Sequence, residues 1–168
     1  GTAAVAKAEP DGYTLLFTTS TPIVQVPFTM RNVPYNVQRD LVTVSHVGRT
    51  PLVLYVNSEL PIRNVRELVE YLRAHPAEAN YGSYGNGSSA HVLMEVLNSQ
   101  TGVPMVHVPY RGVAPELQDL LGKQIITAVA DIGTAAPLAN AGRIRPIAVT
   151  GTARSPALPD VATFAEQG

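Results

Sequence analysis

Between residues 41 and 150, short β-branched apolar runs alternate with helix-like segments, and Gly or Pro punctuates nearly every junction. That alternation constrains the fold more than any single motif. Strands separated by helices favour an α/β sheet, in which each helix carries the chain across a sheet face. The segment "GTAAVAKA" reads as helix and "YTLLFTTS" (13–20) as a strand ending in hydroxyls. Residues 21–40, with Pro22, Pro27 and Pro34, read mainly as loop with room for one helical turn, and "LVTVSHV" and "PLVLYVN" (41–57) as one long strand or two consecutive ones.

The best-marked helix follows. Asn64 can cap it with Glu67 three residues on, a variant of the capping box. Val65, Leu68, Val69 and Leu72 then share one face, and Pro76 ends it. After the strand "ANYGS" and a glycine loop, a helix is expected from about Ser89 to Thr101. It should bury Val92, Leu93, Val96 and Leu97 and close at Gly102. "PMVHVPY", "QIITAVA" and "IRPIAVT" read as strands. "APELQDLL", with Pro115 near its start and Gly122 at its end, and "TAAPLANA", stopped by Gly142, read as helices. In the tail, Thr163 and Glu166 stand at capping-box spacing.

Bulk properties narrow the function. The 168 residues suffice for one domain or two small lobes. Apolar residues make up 45% and charged ones 15%, so the surface must lean on Ser, Thr, Asn, Gln and backbone. Twelve basic and thirteen acidic residues nearly cancel without forming a run, which argues against nucleic acid and against a polybasic membrane contact. The absence of cysteine excludes disulfides and thiolate metal sites. His46, His75, His91 and His107 are scattered, with no helical ligand pair; neither metal nor cofactor is expected. No apolar stretch reaches the 18 or so residues of a membrane helix. Gly1 opens in a helical pattern and Gly168 closes as another begins, so the chain is expected to be part of a longer protein with its export signal elsewhere.

Three strand ends carry hydroxyls and glycines: "TTST" (18–21), "NYGSYGNGSSAHV" (80–92) and "VADIGTA" (129–135). Gly85-x-Gly87-x-x-Ala90 fits a relaxed dinucleotide fingerprint between strand and helix. The acidic residue that should hold the ribose about twenty residues later is missing. Neither Ser83 nor Ser88 has the flanking glycines of a nucleophile elbow. The remaining chemistry is a neutral anion site, with backbone N–H groups at a helix N-terminus flanked by Ser83, Ser88 and Ser89. His91 reads as a residue tying that loop together in preference to a catalytic base. His107 reads as packing or surface, and Arg111 as solvated or paired with Asp119 or Glu116. An enzymatic alternative, a Ser/His hydrolase or nucleotide-dependent enzyme using the 82–91 loop, remains beside the binding reading.

The order "PDGYTLL" (10–16), "VPYNVQRDL" (33–41), "NYGSYGNGSSAHV" (80–92), "HVPYRG" (107–112), "AGRIRPIAVT" (141–150) and "LPDVATFAEQG" (158–168) resembles the Bug family, the substrate-binding receptors of tripartite tricarboxylate transporters. The resemblance implies a non-enzymatic periplasmic protein of the type II binding-protein (Venus flytrap) α/β fold. One lobe would be complete (61–141), and part of the other (1–60 and 142–168) would carry the crossing strands. It implies a small carboxylate ligand (a di- or tricarboxylate, acidic amino acid or aromatic acid) and membrane permease subunits as partners, with a sensor kinase as a further candidate. Carried over residue by residue, the ligand site maps to Thr19, Ser20, Ser83, Gly85, Gly87, Ser88, His91 and Asp131. A partial lobe exposes apolar surface, so dimerisation or strand exchange is also expected. Family members carry proline where Thr43 and Ala162 stand here.

Overall fold

The computed structural model describes residues 1–168, which divide into two compact units: residues 1–48 with 87–89, and residues 49–86 with 90–168.

The first unit holds short helical pieces: α1 (Thr2–Val5), a π-helical turn (Thr21–Gln25), α2 (Val26–Thr29) and α3 (Val37–Asp40). Asn36 caps α3 by accepting from the N–H groups of Gln38 and Arg39, and Tyr35 Oη donates to Pro22 O at 2.6 Å. Two sequence expectations fail here. Residues 13–20 and 41–48 form no strand, although both are rich in β-branched or aromatic residues. A strand exists only with a partner for its N–H and C=O groups. Neither segment has one, and Tyr13, Phe17, Val42 and Val44 are left exposed. The loop expected over 21–40 is instead largely helical turns.

The second unit contains β1 (Leu52–Asn57), α4 (Val65–Ala74), β2 (Asn80–Ser83), α5 (Ser89–Thr101, whose first residue clusters with the first unit), β3 (Val106–Pro109), α6 (Val113–Leu121), β4 (Thr127–Asp131), α7 (Ile132–Asn140) and β5 (Ile144–Val149). The strands form one sheet in the order β3-β2-β4-β1-β5. β2 runs parallel to β3 and β4, whereas β1 runs antiparallel to β4 and β5.

Helices cover both faces. Leu54 and Val56 of β1, with Val129 of β4, point to the side where Leu68 and Leu72 of α4 and Met94 and Leu97 of α5 pack. Val53 and Tyr55, with Ala128 and Ala130, point to Leu117 and Leu120 of α6 and Ala135 of α7. Burial on both faces explains why "LVLYV" and "TAVA" are continuous apolar runs rather than alternating ones.

The capping signals form as the sequence indicates. Asn64 Oδ1 accepts from Glu67 N at 2.8 Å, and the Glu67 carboxylate reaches back to Arg63 N at 2.7 Å. In the tail, Thr163 Oγ1 accepts from Glu166 N while Glu166 Oε2 accepts from Thr163 N. Gln167 Oε1 then takes the Val65 N–H at the head of α4. Helix α5 is the exception in detail. It buries Ala90, Met94 and Leu97 with Leu93 at the edge, while Val92 and Val96 are 40% and 47% exposed. The helix is apolar over more than half its circumference, and packing on Tyr81 and Met105 selects the face.

Candidate functional site

The parallel strands β2, β3 and β4 end on the same edge of the sheet. β2 leads through the glycine loop into α5 on one face, whereas β3 and β4 lead into α6 and α7 on the other. Strand β2 therefore stands at a topological switch point, where α/β sheets open a crevice beyond the strand ends. On the second unit this edge carries residues 84–86, residues 110–112, which Tyr110 N→Ser83 O (2.8 Å) ties to β2, and Asp131.

Ser83 ends β2 and is fully buried. Its Oγ lies 3.1 Å from Gly85 O and 3.3 Å from Gly85 N, so the hydroxyl closes the first turn of the loop on itself. It also lies 2.6 Å from His107 Nε2. The parallel register explains the pair: Tyr81 lies opposite His107 and Ser83 opposite Pro109. Ser83 and His107 are thus diagonal neighbours on one sheet face. The distance is that of a nucleophile and its base, but Ser83 Oγ is sealed from substrate and shared with Gly85, so the pair is built to hold the loop. Gly85 has φ +145°, a left-handed value that favours glycine.

His91, in the first turn of α5, stacks on His107 with ring centroids 3.9 Å apart and planes 11° from parallel. Tyr81 contacts His107 at 4.9 Å, and its Oη donates to Glu95 Oε1 of α5 at 2.5 Å. Burial, seconded by the neighbouring His91, pushes the His107 imidazole below the usual histidine range, with Glu95 acting in the opposite sense. Burial also raises the Tyr81 phenol, with its bond to Glu95 in the same direction. Reading the strand from sequence as apolar packing missed His107. The spacing of Tyr81, Ser83, His107 and Pro109 could have revealed it only with the β2–β3 register known.

Asp131 caps α7: Oδ1 accepts from Thr134 N and Oδ2 from Thr134 Oγ1, both at 2.8 Å. Tyr55 is pushed up to about 12 by burial and then by the charge of Asp131. Tyr110 Oη donates to Asp119 Oδ2 at 2.7 Å, so Asp119 serves the tyrosine, and Arg111 is exposed. Glu116 is no surface partner for Arg111 either, because it is fully buried between α6 and the sheet.

The remaining candidates belong to the first unit. Thr19 and Ser20 are exposed. Within that unit Gln25 Nε2 donates to Ser89 Oγ at 2.9 Å and lies 3.5 Å from Ser20 Oγ. Gly87 has φ +70°, and a Cβ there would stand 2.6 Å from Thr29 Oγ1. Ser88 is buried. Of the histidines outside this cluster, His75 stacks on Tyr71 and His46 is exposed; no group of three or more His, Asp or Glu side chains is placed to hold a metal ion.

Comparison with known proteins bears on this edge of the sheet. Residues 1–168 match the family model described as tripartite tricarboxylate transporter family receptor. The chain is 36% identical to protein BugT of Bordetella pertussis over 169 residues, covering 100% of this chain and 52% of BugT. It is similar to R. palustris Rpa4515, solved with adipate, with a TM-score of 0.90 at 33% identity, over 99% of this chain and 56% of that one. MatC (Rpa3494) from Rhodopseudomonas palustris, solved with bound malate, gives a TM-score of 0.86 at 25% identity, over 99% of this chain and 57% of that one. The chain spans about half the length of the curated relatives it matches.

Proposed function

The chain belongs to the receptor family of tripartite tricarboxylate transporters, and we propose that it is the ligand-gripping part of a periplasmic solute-binding protein. The ligand is a small carboxylate, delivered to membrane permease subunits, with a sensor kinase as a further partner. One observation carries this reading. A loop built from glycine and serine, without a charged side chain from Asn80 to Ala90, opens α5 at a switch point of the sheet. Helix N-termini carry partial positive charge and N–H groups outside the helical ladder, which suits one end of a carboxylate. The adipate and malate held by Rpa4515 and MatC support the ligand class.

In this reading Ser88, Gly85 and Gly87 supply backbone and hydroxyl contacts, and His91 steadies the turn. Ser83 acts through Gly85, Asp131 borders the crevice, and Thr19 and Ser20 contribute from the first unit. Residues 61–141 form one lobe. The antiparallel pairing of β1 with β5 supports their assignment as crossing strands, with 1–60 and 142–168 supplying part of the other lobe.

Thermal unfolding against a panel of dicarboxylates, including adipate and malate, tests the proposal. A genuine ligand stabilises the folded state by about 2.7 kcal/mol at a hundredfold excess over Kd. A panel in which no carboxylate shifts the transition overturns the ligand class. Ester turnover that disappears in Ser88→Ala would instead establish the enzymatic alternative.

A further inference from the structure

We infer that His107 is a positioning residue of the glycine loop, acting through Ser83 Oγ, and that carboxylate capture at this loop is coupled to uptake of a proton by the His107 ring, which stacks on His91. The coupling half of this inference rests on the ligand class proposed above; the positioning half does not.

Ser83 Oγ has one hydrogen to give and can accept two. It faces three groups: Gly85 O at 3.1 Å, Gly85 N at 3.3 Å and His107 Nε2 at 2.6 Å. When Nε2 bears a proton, the hydroxyl accepts from the imidazole and from Gly85 N–H and donates to Gly85 O, so all three contacts are satisfied. When Nε2 is bare, the ring takes the hydroxyl proton and Gly85 O loses its donor. Burial makes that loss costly, since Ser83 is wholly inaccessible to water. The neutral ring can carry its one proton on either nitrogen, whereas the imidazolium always carries one on Nε2 and so fixes this geometry of the turn that contains Gly85.

The surroundings limit how that proton is held. From α5, His91 stacks at 3.9 Å and Glu95 supplies the negative charge acting on the ring. From β2, Tyr81 lies at 4.9 Å with its hydroxyl already donated to Glu95, and Ser83 is neutral. β3 is the edge strand, so no further strand flanks His107. Two imidazolium rings in parallel contact repel strongly, and the pair holds one proton more readily than two. In the unliganded protein, burial and His91 disfavour the charged form of His107. A carboxylate arriving at the head of α5 adds negative charge beside His91, favours the charged form and fixes Nε2 as a donor to Ser83.

The expected signature is tighter binding at lower pH, by at most tenfold in Kd per pH unit for one proton taken up, over a range in which aliphatic carboxylates stay ionised. Calorimetric titration of adipate and of malate, repeated in phosphate and in Tris, reads the protons taken up per ligand. One proton is the upper bound. In His107→Gln the amide still donates to Ser83 but cannot titrate, so binding persists while proton uptake and the pH slope vanish. Proton uptake that survives in His107→Gln, or wild-type binding with no proton uptake, overturns the coupling.

The positioning role has its own readout without ligand. The Gly85 amide resonance should follow the titration of the His107 ring in the wild type and become pH-independent in His107→Gln. A Gly85 amide that ignores the ring overturns it. If neither dicarboxylate binds at any pH, the carboxylate reading falls and the coupling with it, while the Gly85 measurement still decides the positioning role.

Discussion

Glu116 Oε1 accepts the Val129 backbone N–H at 3.1 Å, with the carboxyl group fully buried beneath the sheet. Strand β2 pairs with β4 only at Thr127 and Ala128. At Val129 the ladder has parted, and the side chain supplies the acceptor that β2 no longer offers. Its other oxygen meets no protein partner. Burial pushes this carboxyl up to about 8 from 4.5, against a smaller pull from the Val129 N–H.

That shift makes stability pH-dependent. The folded-state value is raised, so its contribution is fully present below the unfolded value near 4.5 and is lost as pH rises toward about 8. In that window the unfolded chain is ionised while the folded chain keeps the proton, and stability falls by up to about 1.4 kcal/mol per pH unit. Urea unfolding at pH 5.5 and 7.5 should show the decline. Glu116→Gln keeps an acceptor for Val129 and should flatten it, leaving the variant more stable than wild type at pH 7.5. A wild type equally stable at both values refutes the account.

Gly82 lets α6 approach β2. A Cβ there would stand 2.5 Å from Ile125 Cδ1 and 2.9 Å from Glu116 Cγ. Gly82→Ala should destabilise by about 1–3 kcal/mol, the usual range for overpacking. The denaturation midpoint should fall with an unchanged slope.

Asn64→Ala removes the side-chain acceptor for Glu67 N at the head of α4. Loss of such a cap costs about 1 kcal/mol. Calorimetry should report a lower Tm. Asn64→Asp, which keeps an acceptor, should restore most of it.

Gly85→Ala places a Cβ on backbone at φ +145°, with Tyr110 O at 3.9 Å, an ordinary contact. Strain of this kind costs of order 1–3 kcal/mol and would be relieved by shifting the loop. Titration should therefore show carboxylate affinity weakened at least tenfold, with the sheet core intact by circular dichroism. Unchanged affinity would exclude this turn from the site.

Local chemistry settled much of this fold in advance. The Asn64–Glu67 and Thr163–Glu166 pairs and the left-handed glycines after α5 and α7 depend on neighbours a few residues away, which the sequence displays directly. The same holds for the neutral, hydroxyl-rich character of the loop at 80–92. Segments 13–20 and 41–48 carry the β-branched and aromatic residues of strands yet form none, because a strand is a property of two segments and not of one. The buried face of α5 followed from what the helix lies on, since its apolar residues allow more than one face.

The contact of Ser83 with His107, and of His107 with His91, belongs to the same class. Residues 24 and 16 apart in the chain meet only because β2 and β3 run parallel in a particular register and α5 crosses above them. By itself the sequence determined the capped helices from Val65 to Asn140 and that the loop is neutral, because those depend on torsions and on hydrogen bonds within a turn. Only the tertiary structure decided which side chains surround that loop and hold the proton beside it, because long-range register is fixed by burial of the whole sheet.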